Sequence, residues 1–304
     1  MITKETLKSS DFMKKGVEWN IGEAFLKGIL LEVSAYPKPG LVSSISMGAH
    51  KDMDILTFMV SSASIAPAFF LCAHSGINHS GDPEKLLPII REIGIIFEGK
   101  LLDSTKGVNT QRGILFAACI LCAAAGYISQ DNIAFSADDL FETAAKVTKG
   151  IVSRELVHLN EKKDKLTPGE QLYIKYKATG IRGEVESGFT SVRNTGLPAF
   201  KDAISKGVKL NDCIVHTLIS LIACVEDTTI LWRKDKEELI EVQKKARTIL
   251  GKGSIFTEEG LAEIYKLDEV FINKNISPGG SADLVAVTIG TYLLENKQFP
   301  VAIL

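Results

Sequence analysis

The sequence lacks the features that mark several classes of protein. Its net charge is −2, with 35 lysine and arginine residues against 37 acids, so no overall positive field favours nucleic acid. The longest apolar run, residues 114–125, is shorter than the ~20 residues of a transmembrane helix. The first 20 residues contain lysines and acids but no apolar segment typical of a secretory signal. These absences predict a cytoplasmic protein that binds neither nucleic acid nor membranes.

Cysteines are few, five in 304 residues. Cys119 and Cys122 have the C-x-x-C spacing of redox and metal sites, but Ile120, Leu121 and several alanines surround them. A redox or metal site needs polar access and further ligands, so burial in a helix is the favoured interpretation.

Apolar–polar alternation with a period of two is also missing, and the hydrophobic period is helical nearly throughout. No internal repeat or Pro/Ser-rich linker divides the chain. We therefore predict an all-α protein with an N-terminal extension over 1–16 and one large helical catalytic domain over 17–304. Start and stop signals predict helices near 17–35, 52–75, 83–102, 110–128, 137–160, 168–178, 184–192, 197–206, 211–233, 236–250, 258–274 and 281–296.

Polar and glycine residues are concentrated instead in three loops, residues 36–42, 48–54 and 277–284. Each adjoins an apolar helix, where backbone N–H groups and the helix dipole favour anions. Consecutive glycines in 277–284 would let backbone amides approach a ligand. The three loops together predict a polyphosphate site.

The first two loops carry the candidate charges. Lys38 lies between two prolines, which suits either a lysine presented to a ligand or a plain helix-ending loop. His50, Lys51 and Asp52 crowd the start of an apolar helix. Asp52 could act as the N-cap, but a cation beside a carboxylate is typical of a magnesium-bound phosphate site.

Two further segments combine glycine with charge. In 107–113, Arg112 occupies the first turn of a helix, where the dipole disfavours a cation unless an anion binds there too. In 180–189, Arg182, Glu184 and Glu186 lie among three glycines. That segment is interpreted either as a solvated turn or as a place of close ligand approach.

Asp227 is predicted to lie inside the apolar helix 211–233, where a carboxylate is costly unless it is paired, protonated or bound to metal. A partner such as Arg233 could satisfy it, but we favour a metal ligand. On that hypothesis, Asp227→Asn should abolish activity and leave the fold intact.

These segments, taken in order, resemble the triphosphoribosyl-dephospho-coenzyme A synthase family, with flanking helices extending the likeness over about 20–296. The likeness rests on 32–42 with its Pro-Lys-Pro-Gly core, 48–54, 107–113, 182–189, Asp227-Thr228 and 277–284. The chain departs from the family pattern at Gln111, in place of histidine, at Thr229, in place of asparagine, and at 234–236, in place of a glycine-rich turn.

The resemblance implies a reaction between ATP and 3′-dephospho-coenzyme A, in which the acceptor's ribose 2′-hydroxyl attacks C1 of the ATP ribose and adenine leaves. The product would be the prosthetic-group precursor that a downstream transferase attaches to the carrier protein of citrate lyase or malonate decarboxylase. The amino-acid sequence of residues 36–43 is closer to the malonate decarboxylase branch of the family. A homo-oligomer is compatible with the sequence.

The resemblance, combined with this chemistry, suggests roles for fifteen residues. An oxocarbenium-like transition state requires a nearby carboxylate and a proton donor for the leaving base. Glu184 or Glu186 is the candidate base or cation stabiliser. Asp52, Asp227 and Asp283 are the candidate Mg²⁺ ligands. The expected phosphate and nucleotide contacts are Lys38, Gly40, His50, Lys51, Asn109, Arg112, Arg182, Gly279, Gly280 and Ser281. We expect Lys38, Asp52, Arg182, Asp227 and Ser281 to face a common cavity.

Two alternatives remain at this stage. One is an enzyme acting on another nucleotide sugar through the same Mg-polyphosphate site. The other is a non-catalytic or divergent nucleotide-binding protein of the same fold, which the changes at Gln111 and Thr229 favour.

Overall fold

Helices joined by loops build the described chain, residues 16–131, 134–157, 159 and 166–304 of a computed structural model. These residues contain no β-strand, which confirms the all-α prediction. The predicted extension over 1–16 lies, apart from Gly16, outside them. The α-helices are α1 (Val17–Ser34), α2 (Ile55–Ile77), α3 (Leu86–Ser104), α4 (Arg112–Ile128), α5 (Ala137–Thr148), α6 (Ile151–Leu156), α7 (Pro168–Tyr176), α8 (Gly180–Glu186), α9 (Leu197–Ser205), α10 (Leu210–Ile222), α11 (Thr228–Arg233), α12 (Lys236–Gly251), α13 (Glu258–Lys274) and α14 (Gly279–Asn296).

Side-chain caps fix several helix starts. Thr167 and Ser136 form capping boxes at α7 and α5. At α2 the cap is Asp54, whose carboxylate accepts from the Thr57 N–H at 2.9 Å. The helix therefore begins at Ile55, three residues later than predicted, and Asp52 is free of a capping role.

The core is centred on α2 and α4, which pack closely because small residues lie between them. A Cβ at Gly76 would approach the Ala123 carbonyl oxygen to 2.1 Å, so only glycine permits this crossing. Cys119 and Cys122 are buried in α4. Apolar side chains and alanines of the same helix, themselves buried, flank both cysteines, as the packing interpretation predicts.

Helix α2 is the one described helix whose length and composition would allow it to cross a membrane. It packs against α1, α3 and α4. Its outer side leaves Leu56, Val60 and Leu71 exposed. One such helix is weak evidence for a membrane span.

Two long helices predicted from sequence are interrupted. The predicted helix 211–233 ends at Ile222 and restarts at α11, because side chains of α12 bind the carbonyl oxygens freed at the break. Arg247 donates to Ala223 at 2.7 Å and Gln243 to Val225 at 2.9 Å. The predicted helix 137–160 breaks at Gly150, whose φ is +74°, and residues 158 and 160 lie outside the described residues.

Candidate active site

A cavity of about 670 Å³ opens where several helix ends meet. Its wall combines α1, the loop 38–53 and the N-terminal ends of α4, α8, α11 and α14. This volume falls within the roughly 300–1,000 Å³ usual for small-molecule sites. The cavity is therefore the candidate active site.

Lys38 and Glu32 form a buried ion pair at this wall. The Lys38 Nζ lies 2.5 Å from Glu32 Oε1, and Lys38 is only 1% exposed. Burial raises the pKa of Glu32 and lowers that of Lys38, while their mutual attraction opposes both shifts. The Lys38 charge is therefore partly compensated inside the protein.

Asp283 reaches the cavity from the first turns of α14 and lies against the start of α4. A Cβ at Gly113 would come within 2.0 Å of Asp283 Oδ2, so glycine makes room for the carboxyl group. Burial, with Glu32 and Asp227 nearby, holds the pKa of Asp283 well above its ordinary value, and the Ile114 N–H opposes this. A proton or a ligand cation would relieve this concentration of negative charge.

His50 connects an arginine to a serine. Arg233 Nη2 donates to His50 Nδ1 at 3.0 Å, and His50 Nε2 lies 2.9 Å from Ser277 Oγ. Since arginine can only donate, Nδ1 must accept, and the neutral ring carries its proton on Nε2. Burial and the Arg233 charge lower the pKa of His50 to about 4. His50 is thus a neutral donor to Ser277 rather than a phosphate-binding cation.

Asp227 joins two helices as their common cap. Its carboxylate accepts from the N–H groups of Thr229 and Ile230 at the start of α11, and of Gly280 and Ser281 at the start of α14. The Ser281 hydroxyl adds a fifth bond at 2.9 Å. The prediction that Asp227 lies within a continuous helix is wrong, and five donors already occupy the oxygens that were predicted to bind metal.

Glu184 lies at the cavity wall in α8 and is held by Ser191. The Ser191 hydroxyl and N–H both donate to its carboxylate, the N–H at 3.3 Å. Burial raises the pKa of Glu184, which strengthens the carboxylate as a base. Glu186 projects elsewhere and accepts from the Val152 N–H at 3.2 Å.

The structure brings nine of the fifteen predicted residues to the cavity: Lys38, His50, Asp52, Asn109, Arg112, Glu184, Gly279, Gly280 and Asp283. Arg112 is paired there with Glu98, and Asp52 is exposed. The roles predicted for these residues stay predictions, except that His50 is neutral.

The other six do not line the cavity: Gly40, Lys51, Arg182, Glu186, Asp227 and Ser281. The expectation that Lys38, Asp52, Arg182, Asp227 and Ser281 share one cavity is therefore wrong for the last three.

Arg182 binds Glu155, with Nε and Oε2 2.7 Å apart, and Lys51 is exposed beyond the cavity. Gly40 has a structural reason: its φ is +71°, and a Cβ would lie 2.1 Å from the Ile276 carbonyl oxygen. Its N–H donates to Asp268 at 2.9 Å. Glu186, Asp227 and Ser281 are occupied by the contacts given above.

Cavity residues for which the sequence indicated no site role include Glu32, Gln111, Arg233 and Ser277. Glu32 has a usable signal, since it is one acid in the apolar stretch 28–33. Gln111 stands out in the sequence only as a departure from the family pattern. The contacts of Arg233 and Ser277 with His50 have no local signal, because His50 is far away in sequence.

Comparison with known proteins finds one family along nearly the whole chain. The model of the family described as ATP:dephospho-CoA triphosphoribosyl transferase matches residues 18–300. The probable 2-(5''-triphosphoribosyl)-3'-dephosphocoenzyme-A synthase of Malonomonas rubra is 47% identical over 284 residues, 93% of this chain and 90% of that protein. The synthase of the same name from Klebsiella pneumoniae is 36% identical over 265 residues, 86% of each chain. That of Photobacterium profundum, again named as probable, is 37% identical over 269 residues, 88% of this chain and 85% of that protein. The chain therefore belongs to the ATP:dephospho-CoA triphosphoribosyl transferase family.

Proposed function

We propose that this protein transfers the 5-triphosphoribosyl group of ATP to the 2′-hydroxyl of 3′-dephospho-CoA. The acceptor oxygen forms a bond to C1 of the ATP ribose, the bond from C1 to adenine breaks, and adenine leaves with the proton that the hydroxyl loses. Family membership supports this reaction. The observation that carries it is one cavity in which carboxylates and fixed cations meet.

The charges of the cavity support a role for Mg²⁺. Its wall has more acidic side chains, Glu32, Asp52, Glu184, Glu226 and Asp283, than basic ones, Lys38, Arg112 and Arg233. A triphosphate added to that wall would need further positive charge.

Mg²⁺ commonly uses one or two carboxylates with substrate phosphates and water, and so needs no larger cluster of protein ligands. Asp52 and Asp283 fit this pattern and would hold the ion, whereas Asp227 would not. When bound, Mg²⁺ would neutralise and orient the triphosphate.

Glu184 is the candidate that takes the proton from the 2′-hydroxyl. Of the two carboxylates predicted for this task, it is the one at the cavity wall. The bonds from Ser191 fix its orientation, and its raised pKa favours proton acceptance. As an anion it would also stabilise positive charge that develops at C1.

Adenine release measured by chromatography, with Mg-ATP and with or without dephospho-CoA, tests the proposal. We expect adenine only with the acceptor present, and a loss of about 100-fold or more in Glu184→Gln. Glu186→Gln is the matched comparison and should keep most activity, since its carboxylate lies away from the cavity. Adenine formed equally without acceptor would indicate hydrolysis, and no adenine under any condition would contradict the proposal.

The same assignment gives expectations about cellular context. The product would be the prosthetic-group precursor for a carrier protein, attached by a further transferase. A cytoplasmic location is supported by the unpaired state of Cys72, Cys119, Cys122, Cys213 and Cys224. Assembly into a homo-oligomer stays a prediction.

A further inference from the structure

Two serines of α2 hold the side chain of Gln111, a residue with no role in the proposed reaction so far. Its side-chain carbonyl accepts from the Ser61 hydroxyl at 2.7 Å and from the Ser62 hydroxyl at 3.1 Å. Both serines belong to α2 and are buried, and Gln111 itself is only 4% exposed. The carbonyl end of the amide is therefore fixed on the protein side.

The amide nitrogen of Gln111 has no hydrogen-bond partner within the described residues, although it carries two donors. The one buried side-chain nitrogen or oxygen without a partner in that part of the chain is the Thr291 hydroxyl. The Gln111 nitrogen is therefore not sealed inside the protein. Because Gln111 lines the cavity, this nitrogen is open to it.

The surroundings of Gln111 indicate what it could bind. Gln111 is the N-cap residue of α4, and its neighbours Asn109 and Arg112 also line the cavity. The first turn of α4 contains no acid of its own, but the Asp283 carboxyl group of α14 lies against it and uses part of the helix dipole. The amide donors of Gln111, with Asn109 and the Arg112 guanidinium beside them, favour an acceptor atom on a nucleotide.

Resting on the proposed function, we infer that the Gln111 amide donates hydrogen bonds to bound ATP and is a specificity-determining contact for that substrate. The acceptor is either a phosphate oxygen or a nitrogen or oxygen of the nucleoside, since both accept from an amide. An amide does not titrate at neutral pH, so Gln111 binds the substrate without moving a proton.

Two variants separate the donor from its supports. Gln111→Glu keeps the acceptors for Ser61 and Ser62 but removes the donors and adds charge. Gln111→Met removes the donors without adding charge but gives up the serine contacts. A loss of equal size in both variants points to the missing donors, since charge repulsion would act in Gln111→Glu alone and the lost serine contacts in Gln111→Met alone.

Gln130 supplies the matched control, since its amide donates to the carbonyl oxygens of Gly76 and His79, at 2.9 Å each. Its donors are used within the protein and lie away from the cavity residues. Gln130→Met should therefore lower Tm and leave ATP affinity unchanged.

The test is the Kd of Mg-ATP, inorganic tripolyphosphate and adenosine, measured by calorimetry with Tm determined in parallel. We expect both Gln111 variants to bind ATP about 10-fold more weakly, as loss of a buried hydrogen bond predicts. A loss that recurs with tripolyphosphate identifies a phosphate oxygen as the acceptor, and one that recurs with adenosine identifies the nucleoside.

Unchanged ATP affinity in either Gln111 variant overturns the inference, as does an equal loss in Gln130→Met. Failure of this inference can be distinguished from failure of the proposed transfer reaction. A wild-type protein that binds ATP but never releases adenine would refute the transfer reaction and leave the Gln111 contact to be judged by Kd alone.

Discussion

Replacing Asp227 by asparagine should destabilise the fold. If Asp227 were a metal ligand in a helix, the same substitution would leave the fold intact. The carboxylate is 1% exposed and accepts five hydrogen bonds, all from donors. Burial raises the pKa of Asp227, and the donors of Ser281, Ile230 and Thr229 oppose that rise. A set of donors with no acceptor among them favours the ionised form.

The magnitude follows from the geometry. An asparagine has one oxygen, so its NH₂ group must face either the Ser281 N–H or the three N–H groups bound by the other oxygen. One buried N–H left unpaired costs about 1–3 kcal/mol. The remaining bonds lose their charge assistance, which roughly doubles the strength of a hydrogen bond. We expect the free energy of unfolding to fall by about 2–4 kcal/mol.

Urea unfolding of Asp227→Asn, with Asp235→Asn as control, tests this reasoning. Asp235 caps α12 by accepting from the Glu238 N–H at 2.8 Å, and asparagine is an equally good N-cap residue. The control should change stability by no more than about 0.5 kcal/mol. Wild-type stability in Asp227→Asn together with lost adenine release would refute the role of Asp227 as the common cap of α11 and α14. It would restore the hypothesis that Asp227 binds a metal.

Three further outcomes are expected. Lys38→Met should lower the free energy of unfolding by about 3–5 kcal/mol, because it leaves the Glu32 carboxylate buried without a counter-ion. The double variant Lys38→Met/Glu32→Leu should recover most of the lost stability, as measured by urea titration. Wild-type stability should fall as pH drops from about 6.5 towards 4, since the unfolded chain protonates His50 before the folded protein does, and His50→Gln should flatten that part of the profile. Gly113→Ala should lower kcat for adenine release with an unchanged circular dichroism spectrum, because its Cβ would displace the Asp283 carboxylate.

The sequence was sufficient to predict the helices because their signals are local. The capping boxes at Thr167 and Ser136 lie within four residues, and the hydrophobic period repeats within each helix. The errors occur where distant groups intervene. The break before α11 depends on Arg247 and Gln243, which bind carbonyl oxygens 24 and 18 residues earlier in the chain.

The site was predictable in position but less so in detail, for the same reason. Charge and glycine at helix starts correctly indicated Asp52, Arg112 and Asp283 as cavity residues. No local pattern reveals that Asp227 caps a helix 54 residues away, or that Arg233 orients His50. Partners of this kind become visible only when the chain is folded.

The caps also change how a triphosphate must be held. The N–H groups of Gly280 and Ser281, which the sequence suggested for an anion, already bind the Asp227 carboxylate. Asp283 similarly lies at the start of α4. The dipoles of α14 and α4 are thus partly used to stabilise the protein's own carboxylates.

On the proposed function, binding energy for the substrate would then come mainly from side chains and from a cation that the substrate brings. Arg233 and the half-exposed Arg112, which is paired with Glu98, supply charge at the cavity wall, while His50 is neutral and Lys38 is buried in its ion pair with Glu32. Such a site would bind free triphosphate poorly and its magnesium complex well, because the excess of carboxylates repels an uncompensated anion. Selection for the metal-bound substrate would follow from the charge of the wall, without a preformed cluster of metal ligands.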